Sequence, residues 1–172
     1  ILLNNVTEDV TVDKSVTIEG AEFNYTGTMN VAGTTSITVQ NLNVVNGKID
    51  KAAGNGSVTI KDCDFDGQGL NAYALNLRTG SKNIVIENCT AKNYGFGFLQ
   101  TAKASGDITV KNVVISNVNY GFKIDYGKSV TLEDVIVRDN ITYYGIYDSN
   151  NAAKTYTIKN SNIAPIEIWE RT

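Results

Sequence analysis

The sequence contains no histidine. That removes the side chain titrating nearest neutrality, the commonest zinc ligand and every Ser-His or Cys-His nucleophile pair at once. Proline occurs once and cysteine twice, which excludes a proline-rich linker and a disulfide-stapled miniature domain. No apolar run approaches the length of a membrane-spanning helix, and the opening ILLNNVTEDV lacks the basic flank and long apolar stretch of a signal peptide. Lysine and arginine number 15 against 18 acids, a formal net charge of -3 without a local basic cluster. Nothing is available to neutralise a phosphate backbone, so nucleic acid is not an expected partner.

What the 172 residues do contain is repetition. The stretches SVTIEGAEF, SITVQNLNV, SVTIKDCDF, NIVIENCTA, DITVKNVVI, SVTLEDVIV and TYTIKNSNI align without gaps. Their first inward residues are Val16, Ile37, Val58, Ile84, Ile108, Val130 and Tyr156, a repeat of 21 to 26 residues. Each stretch opens with period-2 alternation rich in β-branched residues, the pattern of a strand. A second alternating segment follows in the later units: YALNL from Tyr73, YGFGF from Tyr94, YGFKI from Tyr120, YGIY from Tyr144 and PIEIW from Pro165. Two or three short strands per unit, with corner residues and no helical period, predict an all-β chain: a right-handed parallel β-helix, a solenoid of about seven coils.

Stacked coils place equivalent residues in columns. One corner column reads Gly20, Asn41, Asp62, Asn88, Asn112, Asp134, Asn160, all types that tolerate a left-handed backbone and can bond side chain to side chain as a ladder. The outward column before it reads Glu19, Gln40, Lys61, Glu87, Lys111, Glu133, Lys159 and alternates in sign from Lys61 onward, as in-register neighbours should. The columns starting at Val16 and Ile18 are aliphatic and supply core.

With VTEDVTVDKSVTIEGAEF as an opening coil and NIVIENCTAKNYGFGF as a typical repeat, the chain resembles the right-handed parallel β-helix repeat proteins of the pectin-lyase-like superfamily, especially their bacterial surface and adhesin-like members. The resemblance covers nearly the whole chain. It implies the fold but little about activity, because that superfamily includes lyases, hydrolases, adhesins and phage spikes. Its hydrolases carry paired aspartates with a Gly-His-Gly segment and its lyases an R-x-P-x-x-R setting. A chain without histidine and with Pro165 as its only proline has neither, so no catalytic residue carries over.

DCDFDG, residues 62–67, opens like a calcium-binding loop through Asp62, Asp64 and Asp66, but position twelve holds Tyr73 where such loops place an acid. The competing reading puts Asp62 in the corner ladder and pairs Asp66 with Lys92 on the surface, because both lie eight residues after the first inward residue of their coils. Cys63 and Cys89 share an inward column, as buried thiols or as a disulfide. Tyr73, Tyr94, Tyr120 and Tyr144 precede the last strand of successive coils, with Tyr126, Tyr143, Tyr147 and Trp169 nearby. They read either as corner filling or as a platform for sugar rings, in which case Asn76, Arg78, Lys123 and Asp125 adjoin it.

The expectation is one β-helix domain over residues 1–172, part of a longer multidomain surface protein whose neighbouring domains cap the last coil at PIEIWERT. It is expected to be an extracellular or cell-surface module, adhesin-like or glycan-binding, with a polysaccharide or host glycan as partner. No cofactor is expected unless the aspartates hold calcium. The alternative is a polysaccharide lyase or glycoside hydrolase built on Asp64, Asp66, Lys92 and Arg138.

Overall fold

The computed structural model describes residues 1–2, 4–52, 54–77, 82–102, 106–149 and 154–168. An incomplete first turn holds β1 (Val6–Thr7) and β2 (Val10–Val12). The next three turns hold three strands each: β3 (Val16–Glu19), β4 (Asn24–Thr26) and β5 (Thr28–Val31); β6 (Ile37–Gln40), β7 (Asn43–Val45) and β8 (Lys48–Lys51); β9 (Val58–Lys61), β10 (Asp64–Asp66) and β11 (Tyr73–Leu77). In the following turns strands run on through the corners, as β12 (Ile84–Thr101), β13 (Ile108–Ile124) and β14 (Ser129–Arg138) with β15 (Tyr144–Asp148). The last turn holds β16 (Thr155–Lys159), β17 (Asn162–Ile163) and β18 (Ile166–Ile168).

Every pairing is parallel and joins one turn to the next, which makes three long sheets around a common core. The first sheet stacks Val16, Ile37, Val58, Ile84, Ile108, Val130 and Tyr156 in register, the column expected from the repeats. The second stacks Tyr25, Val44, Phe65, Ala91, Ile115, Val137 and Ile163. The third stacks Met29, Ile49, Leu75, Leu99, Phe122, Ile146 and Ile166. Phe98 bridges Phe65 and Phe122 edge-on at 6.0 Å each, so aromatic packing ties the sheets across the interior. Each such side chain contributes about 1.5–3 kcal/mol through burial.

Two columns hold the corners. Asn41, Asp62, Asn88, Asn112, Asp134 and Asn160 all take φ between 49° and 54°, the left-handed conformation that asparagine and aspartate enter at low cost. Asn112 Nδ2 donates to Asn88 Oδ1 at 3.0 Å and Asn88 Nδ2 to Asp62 Oδ1 at 2.9 Å, while Asn41 Nδ2 turns to Glu19 Oε1 instead. Gly20 departs from the expectation. Ala21 and Glu22 carry the positive φ there, and Gly20 is required because a Cβ would sit 2.5 Å from the Asn41 carbonyl oxygen.

The second corner is a ladder that the sequence reading did not anticipate: Asn140 Nδ2 donates to Asn117 Oδ1, Asn117 to Asn93 Oδ1 and Asn93 to Asp66 Oδ1, at 2.9, 3.2 and 2.9 Å. Its signal is a fixed offset, since Asn46, Asn93 and Asn117 each follow the first corner by five residues.

The inward columns are not wholly apolar. Lys51 stacks on Val31 and is buried, with Nζ donating to the carbonyls of Ala32 and Gly33 at 3.2 and 2.6 Å. Asp148 is buried with Lys154, whose Nζ lies 2.5 Å from Oδ2, and Tyr156 OH donates to the same oxygen at 2.6 Å. At the ends of the first sheet Val16 and Ile158 are 42% and 41% exposed, because β3 pairs only with β6 and β16 only with β14 among the described residues.

Candidate functional site

Four tyrosines meet on one edge of the third sheet. Tyr120 stacks on Tyr144 in register, their rings 6.3 Å apart. Tyr143 and Tyr147 close in on Tyr120 at 5.2 and 5.7 Å, and Tyr147 lies nearly parallel to Tyr144 at 5.4 Å and 22°. Tyr143 is half exposed and the other three are partly so, which leaves ring faces in contact with solvent. Loop 139–143 bends back onto the sheet through Thr142 N and Tyr143 N, which donate to the carbonyls of Val118 and Asn119.

Two of the four phenols, Tyr120 and Tyr144, are held away from ionisation. Burial, with Tyr143 and Tyr147 close by, raises Tyr120, and a hydrogen bond to the Glu167 carboxylate raises Tyr144. Partly exposed, clustered rings offer apolar faces with hydroxyls at their rims, the surface on which the C–H face of a sugar ring packs.

The column beside the cluster runs Asp50, Asn76, Gln100, Lys123, Tyr147, Glu167. It brings Lys123 next to Tyr147 but leaves Asn76 three strands away, roughly 14 Å. Asn76 instead lines a small cavity of about 270 Å³ with Thr11, Asn30 and Asp50. Asp125 lies beyond the strand end and accepts from Ser149 Oγ at 3.1 Å. Arg78 and Trp169 fall outside the described residues.

Tyr94 does not belong to the tyrosine column, contrary to the alignment of YGFGF with YGFKI. Its register partner is Val118, and Gly97 occupies the place next to Tyr120. The Asn93–Asn117 corner sets this register, and β12 spends one residue more than β13 between that corner and the third sheet, so matching tetrads by identity slips them. Tyr94 is buried, its ring passes over Gly67, and its hydroxyl donates to the Gly47 carbonyl at 2.8 Å. The position Tyr94 vacates is filled from the side by Tyr73, which a Cβ on Gly97 would meet at 2.9 Å and which packs against the half-exposed Phe96 at 5.8 Å.

The three aspartates of DCDFDG go separate ways. Asp62 accepts from Asn88, Asp64 from the Thr90 hydroxyl, and Asp66 from Asn93 Nδ2 and the Gln68 amide with Lys92 at 3.4 Å. Burial pushes the Asp66 carboxyl up, but the Asn93 and Gln68 bonds and the Lys92 charge outweigh it and hold the group below the usual carboxylate range. Among the described residues no three acid or thiol side chains converge as metal ligands. Asp64, Asp66 and Lys92 line a groove of about 450 Å³ over the second sheet. Arg138 lies two coils from Lys92 in the same column and contacts Asp139 at 3.5 Å. Cys63 and Cys89 are buried free thiols in successive turns.

A family model described as a right-handed beta helix region matches residues 1–163. The chain is a right-handed β-helix protein. No curated protein and no solved structure matches it. In this β-helix, no helix among the described residues is long and apolar enough to cross a membrane.

Proposed function

We propose that this β-helix is a non-catalytic carbohydrate-binding module, adhesin-like, working outside the cell or at its surface, with a polysaccharide or host glycan as ligand. The observation that carries this reading is the convergence of Tyr120, Tyr143, Tyr144 and Tyr147 on one solvent-facing edge beside Lys123. Core filling alone does not account for it, because the interior already holds Phe65, Phe98 and Phe122, and these tyrosines keep exposed faces. A glycan array followed by calorimetry tests the reading. Tyr147→Ala and Tyr143→Ala are each expected to weaken the best ligand roughly tenfold or more without lowering the melting temperature by more than a few degrees. A wild-type chain that binds no glycan on the array overturns it.

A second reading, polysaccharide cleavage, has the groove shared by Asp64, Asp66 and Lys92 in its favour. It requires new reducing or unsaturated ends from a polysaccharide panel and their loss in Asp66→Asn. The Asp66 carboxyl is held toward its ionised form, so within that reading it would serve as base or nucleophile and not as proton donor.

A further inference from the structure

A groove of about 570 Å³ lies over the second corner. Gln68, Asn93, Asn117, Asn119, Asn140 and Thr142 line it, with backbone at Gly69 and Gly95 and the buried Tyr94 and Val118 beneath. No charged side chain is in that lining. In the ladder Asn93 and Asn117 each spend one N–H and one oxygen lone pair and Asn140 one N–H, so each amide has a further donor and acceptor to offer. Along one rim run Phe96 and Tyr143, because they directly follow the groove residues Gly95 and Thr142, and both are exposed. The groove is therefore a row of amide donors and acceptors at strand spacing, ~4.8 Å apart, with aromatic faces beside it that continue into the tyrosine cluster.

We propose that this groove is a subsite for an uncharged oligosaccharide segment whose chain runs along the axis of the solenoid, one sugar per coil. The inference rests on the glycan-binding reading and deepens it. Amides that both donate and accept match the vicinal hydroxyls of neutral sugars, and a chain laid along the axis meets one such amide at each strand spacing. A uronic-acid chain would bring a carboxylate each turn into a lining without a cation to meet it, and would lose hydration uncompensated. Segments beyond the groove reach the rings of Tyr143, Tyr120 and Tyr147, so the two surfaces act on one ligand with longer chains gaining from both.

The test uses the full chain and two probe series, neutral β-linked gluco- or xylo-oligosaccharides and oligogalacturonates, each of two to eight sugars, titrated by calorimetry. Affinity is expected to rise with length for the neutral series and to favour it over the acidic one at every length beyond three. Asn119→Ala, outside the ladder, is expected to weaken the long neutral probes roughly tenfold, the loss of one or two hydrogen bonds, while leaving the shortest unchanged. Asn117→Asp, which places a charge in the groove, should do so more strongly, and its melting curve separates this from misfolding. Length-independent affinity, tighter binding of the acidic series, or an Asn119→Ala variant indistinguishable from wild type on long probes overturns the groove subsite. If short probes still bind and Tyr147→Ala abolishes that binding, the glycan reading stands and only the groove falls. If no probe binds, both fall.

Discussion

Gly67 shows how one missing side chain organises three turns. A Cβ there would lie 2.6 Å from the Asn93 carbonyl oxygen and 2.8 Å from the Tyr94 ring, distances that neither backbone nor a ring wedged in the core can relieve. Gly67→Ala is expected to destabilise the fold by about 1–3 kcal/mol, read as a shift in denaturant midpoint. Tyr94→Phe keeps the packing but strands the Gly47 carbonyl, and should cost about 1–2 kcal/mol by the same measurement. Asp66 complements Gly67. Its carboxylate supplies the acceptor for Asn93 that a corner residue would otherwise provide, which is why an aspartate that looked like part of a metal loop belongs to the second ladder.

At the scale of strands and corners, the buried group of Asp148, Lys154 and Tyr156 locks the end of β15 to the start of β16. Both charged side chains are almost wholly hidden, so Asp148→Asn would leave an ammonium buried without its counter-charge and should cost about 3–5 kcal/mol. The strand columns were legible in the sequence because β-branched alternation and alternating charges repeat without gaps, and the bonds Lys61–Glu87 at 2.8 Å and Lys111–Glu133 at 3.4 Å realise part of that charge pattern. The connection from the second corner to the third sheet was not legible. Its length changes from turn to turn, so the tyrosines could not be placed by counting, and Tyr94 ended in the core while Tyr120 ended on the surface cluster despite their common YGF context. Lys51 and Asp148 also escaped, since a period-2 pattern marks which positions face inward but not that a turn's open carbonyls or a lysine of the following connection will satisfy a charge there.

For the molecule as a whole, burial of phenols sets its alkaline limit. Desolvation pushes Tyr25 up to about 12 and also raises Tyr94 and Tyr156. A folded pKa above the unfolded value of about 10 means a contribution fully present below pH 10 and lost as pH rises through the folded value. Stability should therefore hold through neutrality and fall above about pH 10, with the tyrosinate absorbance of the buried phenols appearing together with loss of the β-sheet circular dichroism signal. Absorbance that reaches the full value of the unfolded chain while the fold persists would show that these buried phenols titrate without opening the core.

In a solenoid each turn ordinarily touches only the turns on either side, so opening can begin at either end and spread one step at a time. The Tyr94 side chain skips a turn on its way to Gly47. That single bond adds a coupling between second neighbours, and the three turns it spans should open to solvent as one cooperative block. Amide hydrogen exchange would register it as a shared opening free energy for residues 47, 67 and 94, above a graded series toward the terminal turns, and the block should split in Tyr94→Phe.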